Sequence, residues 1–123
     1  MKTFVIVEPQ EGVCQFMVEI LKRFLKDRAK VVDFLSFDEA WEKIPSTNEV
    51  AMIFVAFDAP TEWGAYVAGE LKKALPKAKV ILTSTFDAHE KAQQFGLDDF
   101  ISKIDFAGIG KLGQLLQKHG IEL

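Results

Sequence analysis

Residues 51–60 read Ala-Met-Ile-Phe-Val-Ala-Phe-Asp-Ala-Pro. The apolar run from Ala51 to Phe57 has no alternating polar positions, so it predicts a strand that is buried on both sides of a sheet. Asp58 and Pro60 then predict a turn, because both residue types favour turns and proline cannot continue a central strand. The segment therefore predicts a central strand that stops abruptly, and the other elements are predicted around it.

Strand and helix patterns alternate along the rest of the chain. Short apolar runs predict four more strands, at 3–7, 30–34, 79–83 and 99–102. Apolar residues at helical spacing predict helices between them, at 12–26, 37–44, 62–75, 87–95 and 107–118. Five right-handed β–α units favour an α/β, flavodoxin-like doubly wound fold, with a five-stranded parallel sheet of order 2-1-3-4-5 and helices on both faces.

Composition limits the class of protein. The chain has 123 residues, which is one domain of ordinary size, and we treat residues 1–123 as that single domain. With 49% apolar residues, 27% charged residues and a net charge of −3, it has no basic face that would favour nucleic acid. No apolar run approaches the roughly 20 residues of a membrane span, and no signal peptide is visible. These features predict a cytoplasmic protein without a membrane or nucleic-acid partner.

Residues whose side chains could take part in binding or catalysis follow several predicted strands. Glu8 and Pro9 follow the first strand, Ser84 ends the fourth and Lys103 follows the fifth. In a doubly wound sheet the carboxyl ends of the strands surround one crevice, so these residues are expected around a single mouth. Ala56 stands at the end of the third strand, where a carboxylate would be expected beside the acid, the hydroxyl and the lysine of the other strand ends.

An acid, a hydroxyl and a lysine at successive strand ends resemble the phosphoacceptor pocket of response-regulator receiver domains. The most specific stretch is Phe-Gly-Leu-Asp-Asp-Phe-Ile-Ser-Lys at residues 95–103, which is similar to the Gly-Ala-Asp-Asp-Tyr-Leu-x-Lys-Pro run of receivers. The receiver pattern Asp-x-x-x-Pro, aligned on Pro60, sets Ala56 at the phosphoacceptor position. The resemblance covers the chain from Phe4 to the last helix.

Receivers hold magnesium with paired acids after the first strand and form an acyl phosphate on an aspartate after the third. A hydroxyl after the fourth strand and a lysine after the fifth contact the phosphoryl group. The resemblance implies that this chain matches the first acid, the hydroxyl, the switch aromatic and the lysine at Glu8, Ser84, Phe100 and Lys103.

Three positions depart from the receiver pattern. Ala56 offers a methyl group, which cannot attack phosphorus. Pro9 adds no carboxylate for magnesium, so Glu8 alone would make a weak site, and we expect neither a metal nor a cofactor. Ile104 replaces the proline after the lysine, so a tight Lys-Pro turn need not form. The departures predict a receiver that has kept its fold and lost its chemistry, and therefore not an enzyme.

We consider three alternative functions for this chain. The leading one is a stand-alone pseudo-receiver that acts without phosphorylation as a protein-interaction module, with a signalling kinase, an output protein or a second copy as partner. Its partner-binding residues are predicted to be Phe86, Phe100 and Ile104. A second possibility is an active receiver in which Asp58 is a displaced phosphoacceptor, although an aspartate in such a loop is more often a helix cap or turn former. A third is a small flavodoxin-like ligand-binding protein.

Several residues carry narrower expectations. Lys103 is expected either to form an ion pair with Glu8 across the pocket or to remain as a family relic that reaches solvent. Ser84 is expected to bond local backbone. Gly64 and Gly69 are weak positions in a predicted helix and would allow close packing against a partner.

Other side chains are expected to have structural roles. Cys14 is expected in the core. His89 and His119 are expected on the surface without carboxylate-rich surroundings. The aromatic residues of two helices are expected to pack in the core or at its rim, namely Trp41, Trp63 and Tyr66.

Overall fold

The computed structural model describes residues 1–57 and 61–122, with Ile109 described by its backbone alone. Within these ranges five strands form one parallel sheet in the order 2-1-3-4-5, which confirms the predicted fold. The strands are β1 (Lys2–Val7), β2 (Ala29–Phe34), β3 (Val50–Ala56), β4 (Lys79–Ser84) and β5 (Asp99–Ser102).

Helices follow each strand, as the alternating pattern predicts. The α-helices in the described ranges are α1 (Glu11–Leu25), α2 (Phe37–Lys43), α3 (Trp63–Ala74), α4 (His89–Gln94), α5 (Lys103–Ala107) and α6 (Ile109–Lys118). The start of α2 is capped as expected, since the hydroxyl of Ser36 accepts the amide hydrogen of Glu39 at 3.3 Å. Of the helices that the structure describes, none combines the length and apolarity needed to cross a membrane.

The end of the chain differs from the prediction of one helix from residue 107. A separate helix, α5, begins directly after β5, because the hydroxyl of Ser102 accepts the amide hydrogen of Asp105 at 3.0 Å and caps it. Gly108 then interrupts the helix with extended backbone (φ −81°, ψ 126°) before α6 begins. Glycine costs about 1 kcal/mol inside a helix, which favours a break at this point. Lys103 consequently lies on the first turn of a helix.

Alternating strand residues fill two layers of core. On the first face, covered by α1, α5 and α6, lie Phe4, Ile6, Met52, Phe54, Ile81 and Ile101. On the second face, covered by α2, α3 and α4, lie Val5, Val7, Ile53, Val55, Val80, Leu82 and Phe100. The two-residue period of a strand therefore fixes which face each strand-end side chain joins.

Two glycines let α3 approach neighbouring backbone closely. A Cβ atom at Gly64 would overlap the carbonyl oxygen of Ala56, the last residue of β3. A Cβ atom at Gly69 would lie 3.2 Å from the carbonyl oxygen of Phe95. Both glycines are buried against the chain itself, so the expectation that they pack against a partner is wrong.

Candidate functional site

An ion pair occupies the carboxyl edge of the sheet. The ammonium of Lys103 lies 2.6 Å from Oε1 of Glu8, whose side chain is fully buried, while 16% of the Lys103 side chain is exposed. At this distance the positive ammonium compensates the negative charge of the buried carboxylate. The other carboxylate oxygen accepts the amide hydrogen of Gln10 at 3.1 Å. The predicted Glu8–Lys103 pair is thus present, and the lysine does not simply reach solvent.

Ala56 closes β3 on the same side of the sheet as this pair. It follows Phe54 by two residues, just as Glu8 follows Ile6, so both strand ends turn to the first face, where the ammonium of Lys103 meets Glu8. Ala56 is fully buried. Its methyl group therefore ends the strand on the face of the Glu8–Lys103 pair.

The hydroxyl beside Ala56 belongs to Thr83 and not to Ser84. The sheet register pairs Ala56 with Thr83, and paired residues of neighbouring strands point to the same face. Ser84 points to the second face, and its hydroxyl accepts the amide hydrogen of Phe86 at 3.1 Å, as expected of local backbone bonding. Thr83 is fully buried, and its hydroxyl has no hydrogen-bond partner among the described residues. The placement of Ser84 in the pocket is therefore corrected to Thr83.

The three predicted partner-binding residues do not share one surface. Phe86 is 44% exposed and Ile104 is 76% exposed, so both present apolar area at the carboxyl edge of the sheet. Phe100 is only 7% exposed and lies on the second face, with its ring 4.7 Å from that of His89. Its ring is covered by α4 in this conformation, and its assignment as a partner-binding residue stays a prediction.

The two histidines differ from the expectation of lone surface residues. His89 is exposed, but its Nδ1 lies 2.7 Å from a carboxylate oxygen of Asp87. His119 is buried to 9% side-chain exposure, and its Nε2 lies 2.9 Å from Oδ2 of Asp99. Burial alone would raise the pKa of Asp99, but hydrogen bonds from His119, the Phe100 amide and Lys118 outweigh it and hold the pKa below its ordinary value.

Cys14 is fully buried in the core on the first face, as expected. Its sulfur lies 3.6 Å from Oδ2 of Asp33. Burial, followed by the negative charge of Asp33, raises the pKa of the thiol to about 12. The thiol therefore stays protonated at neutral pH and cannot act as a nucleophile in the folded protein.

Comparisons with known proteins identify the fold. No protein-family model matches the sequence, and no curated protein matches it either. Solved structures do share its fold. A CheY-like response regulator receiver domain from Methylobacillus flagellatus superposes with a TM-score of 0.74 at 20% identity, over 97% of this chain and 98% of that one. The chain has the receiver fold.

Two further structures agree. The response regulator protein TrrA from Thermotoga maritima, solved in complex with Mg²⁺ and BeF, has a TM-score of 0.75 at 22% identity, over 97% of this chain and 99% of that one. A DNA-binding response regulator of the LuxR family from Staphylococcus aureus has a TM-score of 0.76 at 24% identity, over 97% of this chain and 98% of that one. At these identities the likeness establishes the receiver fold and leaves the chemistry to the residues of the pocket.

The pocket residues of this receiver fold do not suit the magnesium ion of ordinary receivers. Magnesium requires near-octahedral oxygen ligands, usually with one or two carboxylates. Here one oxygen of Glu8 faces Lys103 and the other faces an amide, and neither Pro9 nor Ala56 has a side-chain oxygen. Among the described residues no three His, Cys, Asp or Glu side chains form a possible metal group. Asp58 lies outside the described residues, so its role as an alternative acceptor stays a prediction.

Proposed function

We propose that this receiver-fold chain works as a protein-interaction module in two-component-type signalling and does not depend on phosphorylation. The observation that carries the proposal is Ala56. Its buried methyl ends β3 on the face of the Glu8–Lys103 pair, and as far as Phe57, where the described part of this strand end stops, no side chain offers a carboxylate oxygen to attack a phosphoryl donor.

The Glu8–Lys103 pair supports the same proposal. An ordinary receiver lysine contacts a phosphoryl group, whereas this ammonium already faces the carboxylate of Glu8 at 2.6 Å. A buried carboxylate without its cation is costly, so the pair favours one closed arrangement of the pocket. The chain would then present its partner with a constant surface and would not switch.

The partner surface proposed here combines Phe86 and Ile104, the exposed apolar residues that follow β4 and β5. Apolar side chains of this size at a sheet edge are typical of protein contacts. A signalling kinase, an output protein or a second copy would supply the opposite surface. The chain would act by occupying or recruiting that partner and not by catalysis.

Backbone amide spectra test whether the pocket responds to a phosphoryl analogue. ¹H–¹⁵N spectra of the chain would be recorded with and without Mg²⁺ and beryllofluoride, and an ordinary receiver would be the positive control. We expect the amides near Glu8, Ala56 and Lys103 to be unchanged, while the control receiver shifts. A saturable shift in this chain would contradict the proposal. Loss of that shift in Asp58→Ala would then support the displaced-acceptor alternative.

A further inference from the structure

Three aromatic side chains on α2 and α3 face solvent. Trp41, Trp63 and Tyr66 are 43%, 48% and 49% exposed, so of the two expected positions, the core or its rim, they occupy the rim. Together with Val67 and Glu70 they line a groove of about 310 Å³. These rings are not needed to cover the core, because Val67 and Leu71 are buried and pack α3 against the sheet.

The α3 side of the groove is ordered by helical spacing. Trp63, Tyr66 and Glu70 follow one another at intervals of three and four residues, so they lie on one stripe of the helix. The rings of Trp63 and Tyr66 stack, with centroids 5.4 Å apart and planes inclined by 16°. This contact holds the two rings parallel to each other, with part of each ring exposed, and leaves the carboxylate of Glu70 one turn away.

The charge of the groove is negative. Its described lining includes Glu70 and no lysine, arginine or histidine. Among the described residues the one ion-pair partner of Glu70 is Lys73, whose ammonium lies 3.8 Å away and whose side chain is 78% exposed. A surface pair of this length contributes little and does not occupy the carboxylate. On α2 two exposed acids lie near Trp41 in the sequence, Asp38 three residues before it and Glu42 directly after it.

We propose that this groove binds an arginine-bearing peptide segment of a partner protein. A guanidinium group is planar, stacks on aromatic faces and donates paired hydrogen bonds to a carboxylate, which matches exposed rings beside Glu70. A second copy of this chain fits less well, because a two-fold contact between two grooves would bring their Glu70 carboxylates together. The groove lies on α2 and α3, away from the Glu8–Lys103 pair, so it is independent of the pocket chemistry.

The chain offers a direct optical test, because its two tryptophans, Trp41 and Trp63, both line the groove. The probe is the peptide acetyl-Pro-Pro-Arg-Pro-Pro-amide, titrated against tryptophan emission and against the two indole N–H resonances. Its control is the same peptide with citrulline, a neutral isostere of arginine. We expect a saturable change with the arginine peptide and at least a tenfold weaker response, or none, with citrulline, since one charge-assisted bond is lost.

Three variants sharpen the test. Glu70→Gln should weaken binding of the arginine peptide by about tenfold, and Tyr66→Ala should abolish it. Phe16→Ala, which removes a 54% exposed ring on α1, should leave binding unchanged. Circular dichroism of each variant checks that the fold is intact.

Two results would overturn the proposal. One is equal binding of the arginine and citrulline peptides, or no saturable response to either at millimolar concentration. The other is a dimer in sedimentation velocity that Tyr66→Ala converts to a monomer, which would assign the groove to a second copy. Neither readout involves phosphorylation, so failure here is distinguishable from failure of the proposed pseudo-receiver function.

Discussion

The ammonium of Lys103 lies 2.6 Å from the buried carboxylate of Glu8, at the edge of the sheet where Ala56 ends the central strand. The pair and the alanine are related. A carboxylate at position 56 would share the same face with Glu8 and would compete for the one lysine. With a methyl group there, Glu8 and Lys103 neutralise each other, and the pocket is closed by its own residues.

Removing one member of this pair should destabilise the fold far more than removing both. Lys103→Met leaves the Glu8 carboxylate buried without a cation and should lower the free energy of unfolding by about 3 kcal/mol. The double variant Glu8→Gln/Lys103→Met should lie within about 1 kcal/mol of the native chain, since an uncharged pair carries no such penalty. Urea unfolding at neutral pH measures both.

Lys118→Met is the matched control for this cycle. Lys118 also forms an ion pair, with Asp99 at 3.0 Å, but 66% of its side chain is exposed. Its loss should cost less than about 1 kcal/mol, because solvent screens the pair. Equal losses of unfolding free energy for Lys103→Met and Lys118→Met would show that the buried Glu8–Lys103 pair contributes no more to stability than an exposed pair.

The close approach of α3 to β3 should make Gly64 intolerant of a side chain. Gly64→Ala places a methyl group against the carbonyl oxygen of Ala56, so strand or helix must move, at a cost of about 1–3 kcal/mol. Gly12→Ala is the control, because nothing lies within 4 Å of a Cβ at that position in α1. That variant should be neutral or slightly more stable. Thermal unfolding separates the two, and a stable Gly64→Ala would contradict the observed packing.

Asp99 should make stability depend on pH at the acid end. Its pKa in the folded protein is held below the ordinary value of 3.8, so its ionised form stabilises the fold above that value, and the contribution is lost as pH falls through the folded pKa. Asp99→Asn should therefore be less stable than the native chain at neutral pH, and the difference should shrink below about pH 3.8. Urea unfolding across this range measures it. A difference that is constant with pH would exclude this linkage.

The thiol of Cys14 should be unreactive in the folded chain. Its pKa is raised to about 12 by burial and by Asp33, and the residue is fully buried, so both thiolate formation and reagent access are suppressed. Labelling with a thiol reagent at mild alkaline pH should be slow in buffer and fast in concentrated urea. Fast labelling under native conditions would mean that α1 opens readily.

Much of the fold was predictable because its elements have strong periodic patterns. Continuous apolar runs identify buried strands such as β3, and their alternation with helices leaves few topologies. The separate helix α5, which ends at Gly108, was harder to predict, because Ser102 is both the end of β5 and the cap of α5. A residue with two roles is assigned to only one of them when the sequence is read in segments.

The candidate site shows where sequence reasoning succeeds and where it stops. The Glu8–Lys103 pair was predictable from strand ends that meet at one edge. Thr83 was missed in favour of Ser84, although counting by two from Ile81 on β4 puts Thr83 on the pocket face. The exposed aromatic groove was missed because helical spacing identifies a stripe, and only the packed structure shows that Trp63 and Tyr66 lie outside the buried part of it.

Intact-mass spectrometry after incubation with acetyl phosphate and Mg²⁺ tests the central claim most directly. The native chain would be compared with Asp58→Ala and with an ordinary receiver as positive control. We predict no phosphoryl adduct on the native chain under conditions that modify the control receiver. A single phosphoryl adduct on the native chain would contradict the account, and its loss in Asp58→Ala would make the chain a working switch with a displaced acceptor.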